Sequence, residues 1–159
     1  MELKFVNAKS PDFAMLAQKL DDYYFEVVGA VQEKYAECNK PHNFACLAVV
    51  YEDGQPIGCG CWKAVDPVTA ELKRMYVLPE YRRKGVASGL IAALEADAAA
   101  AGIRRMILET AVDTADSIDC TYPPATGSWI ITAAPPGKTI ACAFIKYCEK
   151  LTRKGSVFS

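Results

Sequence analysis

The sequence has one histidine, His42, and no C-x-x-C pair. That excludes the common zinc frameworks, since a site would have to be nearly all thiolate at unusual spacing; no metal is expected. Net charge is also small. Eighteen Lys and Arg oppose nineteen Asp and Glu, a formal −1. The only dense basic cluster is Arg82-Arg83-Lys84, so neither a nucleic-acid footprint nor a polybasic membrane patch is expected. Long apolar runs are missing, which argues against a transmembrane span. Met1-Glu2-Leu3-Lys4 lacks the pattern of a secretory signal. Cysteine, by contrast, is plentiful: Cys38, Cys46, Cys59, Cys61, Cys120, Cys142 and Cys148. An odd count without a signal fits reduced thiols in a cytoplasmic protein, most of them serving as small apolar residues. The 159 residues suit one domain with one core.

The most informative stretch runs from Glu71 to Ser88. It reads as a strand ending Met75-Tyr76-Val77-Leu78-Pro79, a tight loop with a basic tip, and the first turn of a helix. Arg82, Gly85 and Ala87 have the spacing R-x-x-G-x-A. An anion at such a loop meets unpaired N–H groups and the positive end of the helix dipole. Gly85 lets the backbone come close to a ligand, and Ala87 is too small to block it. Arg82, Arg83 and Lys84 add charge at the mouth. These features fit a pyrophosphate.

The rest of the chain arranges itself around that loop. Leu3 to Val6 reads as a first strand. Ser10 is an N-cap with Pro11 at the first helical position, and Phe13, Leu16, Ala17, Leu20, Tyr24 and Val27 follow at helical spacing. Gly29 breaks this helix, and a second short one spans Val31 to Cys38. Phe44 to Tyr51 and Pro56 to Ala64 read as strands joined by the hairpin turn Glu52-Asp53-Gly54-Gln55. Gly58 and Gly60 lie on one face of the second strand and Cys59 and Cys61 on the other; the glycines leave room for a ligand or mark a bulge. Thr69 to Val77 completes a three-strand meander. A helix from Gly85 to Ala101 buries Val86, Leu90, Ile91, Leu94 and Ala98, with Gly102 as C-cap. Arg104 to Thr110 returns as a strand parallel to the one before the helix.

The loop, together with this order of elements over about residues 1–118, resembles the GNAT family of N-acetyltransferases. The resemblance implies an α+β acyl-CoA N-acyltransferase fold, a mixed central sheet with helices on both faces. It implies acetyl-CoA as cosubstrate and acetyl transfer to a primary amine of a small molecule or peptide by direct attack in a ternary complex. The pyrophosphate would be held by Arg82, Arg83, Lys84, Gly85, Val86, Ala87 and Ser88. The backbone of Met75, Tyr76 and Val77 would pair with the pantetheine arm, and an N–H there would donate to the developing oxyanion. Carboxylates near the register of Glu71 serve as base in several members, so Glu71 is the expected general base, with Glu109 second. Pairing of Glu71 with Lys73 is the competing structural reading. The first two helices and the following loop usually wall the acceptor groove, where Tyr23, Tyr24, Phe25, Tyr35 and Phe44 stand, though core packing suits most of them. A cysteine nucleophile would want a histidine partner, and His42 sits in a loop with no paired motif. Many relatives dimerise, so a homodimer is a further expectation.

The resemblance ends near Ile118. The family continues with a helix carrying L-Y, whose tyrosine often acts as general acid, and then two closing strands. Here Asp119-Cys120-Thr121-Tyr122-Pro123-Pro124 follows, and two prolines forbid that helix. One alternative is therefore a CoA-binding, catalytically impaired module acting through protein contacts. If the printed tail is native, Trp129 to Thr132 suits a strand, and Thr139 to Leu151 either a strand or a short helix. Reading the last base of each codon with the first two of the next permits Leu-Tyr from Asp119-Cys120-Thr121, and a family-like string from Gly127 to Ile145. The hypothesis is that residues 119–159 are a frame-shifted version of the family tail. Sequencing the coding DNA tests it: codons compatible with the shifted string are expected, and codons that cannot encode it end the idea.

Overall fold

The computed structural model describes residues 1–28, 43–110, 129–133 and 142–147; for residues 27–28, 109–110 and the last two segments it gives the backbone alone. The chain forms β1 (Glu2–Val6), α1 (Pro11–Val28), β2 (Cys46–Glu52), β3 (Gln55–Asp66), β4 (Thr69–Val77), α2 (Val86–Ala100), β5 (Arg105–Thr110), β6 (Trp129–Ala133) and β7 (Cys142–Tyr147). Seven strands make one sheet in the order β1-β2-β3-β4-β5-β7-β6. Only the β4–β5 pair is parallel; the others are antiparallel. This is the mixed sheet expected of a GNAT acyltransferase fold. The expected helix at Val31 to Cys38 lies outside the described residues. Within Thr139 to Leu151, residues 142–147 form a strand.

Local chemistry explains the boundaries. The Ser10 hydroxyl accepts from the Phe13 N–H at 3.2 Å, capping α1. Asp53 and Gly54 both have positive φ, 50° and 77°, as a two-residue hairpin turn between twisted strands requires. Gly102, at φ 91°, follows the C-cap residue Ala101 and reverses the chain into β5. The cap thus falls one residue earlier than the sequence suggested.

Alternation sorts the core onto two faces. Ala48, Val50, Trp62, Ala70 and Leu72 pack with Val86, Leu90, Ile91, Leu94 and Ala98 of α2. Leu47, Val49, Cys59 and Cys61 pack with Phe13 and Leu16 of α1. The five α2 positions are those the periodicity selects.

One irregularity shapes the site. Cys59 pairs with Tyr76 and Cys61 with Lys73, so Gly60 alone faces both Arg74 and Met75. β4 therefore carries a bulge, and Arg74 takes the left-handed conformation there, φ 57°. The extra residue swaps the alternation. Ala70 and Leu72 face α2 before the bulge, and Met75 and Val77 face it afterwards. The space beside the strand glycines is filled by the protein itself rather than left for a ligand. A Cβ at Gly60 would land on the Met75 sulfur and 3.1 Å from Leu94 Cδ1. Gly60→Ala is expected to destabilise the fold by about 1–3 kcal/mol through overpacking, measured as a lowered urea midpoint at constant slope.

Candidate active site

β4 and β5 are held together at one end and part at the other. At the closed end, the Arg104 and Arg105 N–H groups both donate to the Val68 carbonyl, at 2.8 and 3.0 Å. The Arg105 guanidinium donates to Thr69 Oγ1. Pairing then runs from Thr69 with Arg105 to Leu72 with Leu108 and stops. β5 goes on to Thr110, paired with β7 on its far side. β4 goes on to Val77, paired only with β3 among the described strands. Leu78 N–H donates to the Ile57 carbonyl at 2.9 Å, so strand alternation turns the Tyr76 peptide groups towards β3. Met75 and Val77 then present theirs to the gap. Of the three residues expected to pair with a pantetheine arm, Met75 turns both its peptide groups to the gap and Val77 its N–H, while the Val77 carbonyl accepts from Arg82 Nε.

The loop after β4 begins with a single 3-10 turn, Pro79–Tyr81. Arg83 is left-handed at φ 60° and Gly85 at φ 81°. Gly85 is the N-cap of α2, and the first intrahelical bond runs from Gly89 N–H to the Gly85 carbonyl at 2.9 Å. The amides of Val86, Ala87 and Ser88 therefore have no acceptor within the helix, and among the described residues no side chain caps them. The Val86 side chain is buried in the core, so only its amide faces the loop. Arg83 and Lys84 are exposed, and Lys84 Nζ lies over the Tyr81 ring at 5.1 Å. Arg82 is set apart from them. Its Nε donates to the Val77 carbonyl at 3.1 Å, and its guanidinium lies 5.8 Å from the Tyr23 ring centroid. This arginine ties the loop to both β4 and α1.

Glu71 is 7% exposed on the α1 face of β4. Its two oxygens meet Lys73 Nζ at 2.6 Å and Lys63 Nζ at 3.7 Å. The carboxylate is fixed between two ammonium groups, including the lysine that the structural reading named. Glu109 is two residues past Ile107, the β5 partner of Glu71; its side chain is not described. Tyr35, His42 and Tyr122 fall outside the described residues.

Several contacts here were not anticipated from the sequence. Arg74 pairs with Asp21 of α1. Cys61 Sγ donates to the Lys73 carbonyl at 3.2 Å, and Cys59 Sγ to the Arg74 carbonyl at 3.4 Å. Gly60, read either as room for a ligand or as a bulge, was the one available signal, and the extra residue belongs to the facing strand. Burial pushes the Cys59 thiol up to about 12, with Arg74 pulling weakly the other way. Burial also raises Cys61 well above the usual thiol range. Among the described residues, no three His, Cys, Asp or Glu side chains are placed to hold a metal ion. No described helix is long and apolar enough to cross a membrane.

A family model for the acetyltransferase (GNAT) family matches residues 13–121. No curated protein matches the sequence. Solved structures do. A Klebsiella pneumoniae protein provisionally designated an acyl-CoA N-acyltransferase aligns over 92% of this chain and 96% of its own, with a TM-score of 0.72 and 21% identity. The PaiA N-acetyltransferase of Thermoplasma acidophilum, in complex with coenzyme A, aligns over 92% and 99%, with a TM-score of 0.69 and 15% identity. The ribosomal-protein-alanine N-acetyltransferase of Brucella melitensis aligns over 92% and 98%, with a TM-score of 0.63 and 16% identity. At these identities the likeness is one of fold.

The buried thiols set an alkaline limit. Below pH 9, the ordinary thiol value, both folded and unfolded chains keep the proton and the stability contribution is intact. Between there and about 12, the unfolded chain loses it while the Cys59 thiol keeps it, so stability falls as pH rises. Urea midpoints are expected to drop between about pH 8 and pH 10.5, and Cys59→Ala is expected to flatten that drop.

Proposed function

The chain belongs to the GNAT acetyltransferase family, a group of acyl-CoA-dependent acyltransferases, and from that premise we propose that it acetylates a primary amine of a small molecule or peptide by direct attack in a ternary complex. One observation carries this reading. Among the described residues, the edge of β4 beyond Leu72 pairs with no strand on the β5 side, and it leads directly into a loop whose following helix presents uncapped amides.

Acetyl-CoA would supply the acetyl group as a thioester. The amides of Val86, Ala87 and Ser88 suit its pyrophosphate, with Arg83 and Lys84 adding charge in solvent and Arg82 bracing the loop. Gly85 keeps the approach free of a Cβ: its φ of 81° is one that side chains rarely adopt, and no atom lies within 4 Å of where a Cβ would stand. The peptide groups of Met75 and the N–H of Val77 suit the pantetheine arm, which would pair as an added strand. An N–H on that edge would donate to charge developing on the thioester oxygen. Glu71 would accept the proton of the attacking amine, directly or through one water, with Lys73 and Lys63 fixing its carboxylate. The leaving thiolate departs unaided or takes a proton from water, since no tyrosine stands at the L-Y position. The domain comprises residues 1–159, works in the cytoplasm and forms a homodimer in this reading.

Two measurements test the proposal. Coenzyme A at about a hundred times its Kd should stabilise the fold by about 2.7 kcal/mol in thermal melts; no shift at millimolar coenzyme A refutes the site. On an amine panel, Glu71→Gln should lower kcat by about a hundredfold or more while leaving the coenzyme A shift in place. Unchanged kcat removes Glu71 from the role.

A further inference from the structure

The β4 bulge needs support that its own strand does not provide. Arg74 is an arginine in the left-handed region, a conformation that costs about 1–2 kcal/mol for a residue with a Cβ. Such a conformation persists only where the surroundings over-determine it. Gly60, opposite the bulge, contributes no side chain, and Met75 fills the space on the α2 side. On the α1 side, Asp21 holds the Arg74 guanidinium. On the β3 side stand the carbonyls of Lys73 and Arg74, two consecutive half-buried acceptors, the first of which also faces its ladder partner Cys61. Each receives a proton from a different thiol of β3, Cys61 at 3.2 Å and Cys59 at 3.4 Å. Both cysteines are fully buried and free of disulfides.

We propose that Cys59 and Cys61 are positioning residues for acetyl transfer: as paired S–H donors they lock the β4 bulge, and through it the aim of Met75 and Val77 into the gap beside β5. This rests on the acetyl-CoA reading of the site. The route is short. Cys59 and Cys61 flank Gly60, and the carbonyls they hold belong to the two residues before Met75. Releasing either carbonyl lets Arg74 leave the left-handed region and move towards regular pairing with β3. The alternation beyond it then reverts, turning Met75 towards α1 and its peptide groups off the open edge. Burial keeps both thiols protonated, and so able to donate, through the neutral range. Nothing in this role calls for a thiolate, an oxidant or a histidine.

The test compares alanine, which removes the donor, with serine, which keeps one. Cys59→Ala, Cys61→Ala, Cys59→Ser, Cys61→Ser and the double alanine variant are assayed for coenzyme A Kd by calorimetry, for kcat and KM of acetyl-CoA, and for thermal stability. Each alanine variant should raise Kd and KM by about tenfold, a loss of one weak hydrogen bond together with its acceptor's satisfaction, while each serine variant stays within about threefold of the wild type. Alanine variants that keep wild-type Kd and KM and lose only thermal stability overturn the proposal, because the thiols would then merely fill space. Equal losses for serine and alanine overturn it as well. A crystal structure of the double alanine variant gives an answer independent of activity: an unchanged register with Arg74 still left-handed overturns the proposal, and a shifted register supports it. If wild-type protein shows no coenzyme A binding, the reading of the site fails by itself, and the crystal structure alone decides whether the thiols hold the bulge.

Discussion

β4 keeps its hydrogen bonds to β5 only as far as Leu72, and the remaining architecture follows from that parting. An open edge in the middle of a sheet is costly, because each unpaired peptide group gives up a partner it would have in a regular ladder. The fold bears that cost at one place and closes everything around it. Arg105, Thr69 and the Val68 carbonyl fasten the two strands at their base. β7 occupies the other side of β5 along its full length. Among the described residues, the two strands part in a wedge beyond Leu72, lined on the β4 side by peptide groups and leading to the N-terminus of α2.

The bulge makes the wedge usable. A regular β4 would put Met75 and Val77 on the same face as Glu71 and Lys73. One extra residue at Arg74 separates them. Glu71 stays on the α1 face with Lys63 and Lys73, while Met75 and Val77 pack towards α2. The Glu71 carboxylate and the Met75 and Val77 side chains thus lie on one strand yet on opposite faces of the sheet. Two arginines on this segment reach back to α1, Arg74 to Asp21 and Arg82 to Tyr23. The C-terminal half of α1 is therefore fastened both to the bulge and to the loop before α2.

Much of this was legible in the residues. The helical face of α2 came directly from its periodicity, the N-cap from Ser10-Pro11, the hairpin from Asp53-Gly54, and β4 as Thr69 to Val77, the last strand of the meander. The loop before α2 was readable as a tight, basic turn because Arg82, Gly85 and Ala87 sit close together in sequence. Glu71 was legible as a carboxylate on the central strand but not as the centre of a lysine pair, since Lys63 comes from β3 and only the strand register brings it within reach.

What sequence alone determined, then, was whatever depends on neighbours along the chain: the order of elements, the loop and its charge, the faces of the helices. The tertiary structure alone decided the bulge, the swap of faces beyond Arg74, the thiol-capped carbonyls, and the point at which β4 leaves β5. Alternation within a strand is local, but its phase is not. One inserted residue resets it, and whether a residue is inserted is settled by which residues stand opposite on the next strand.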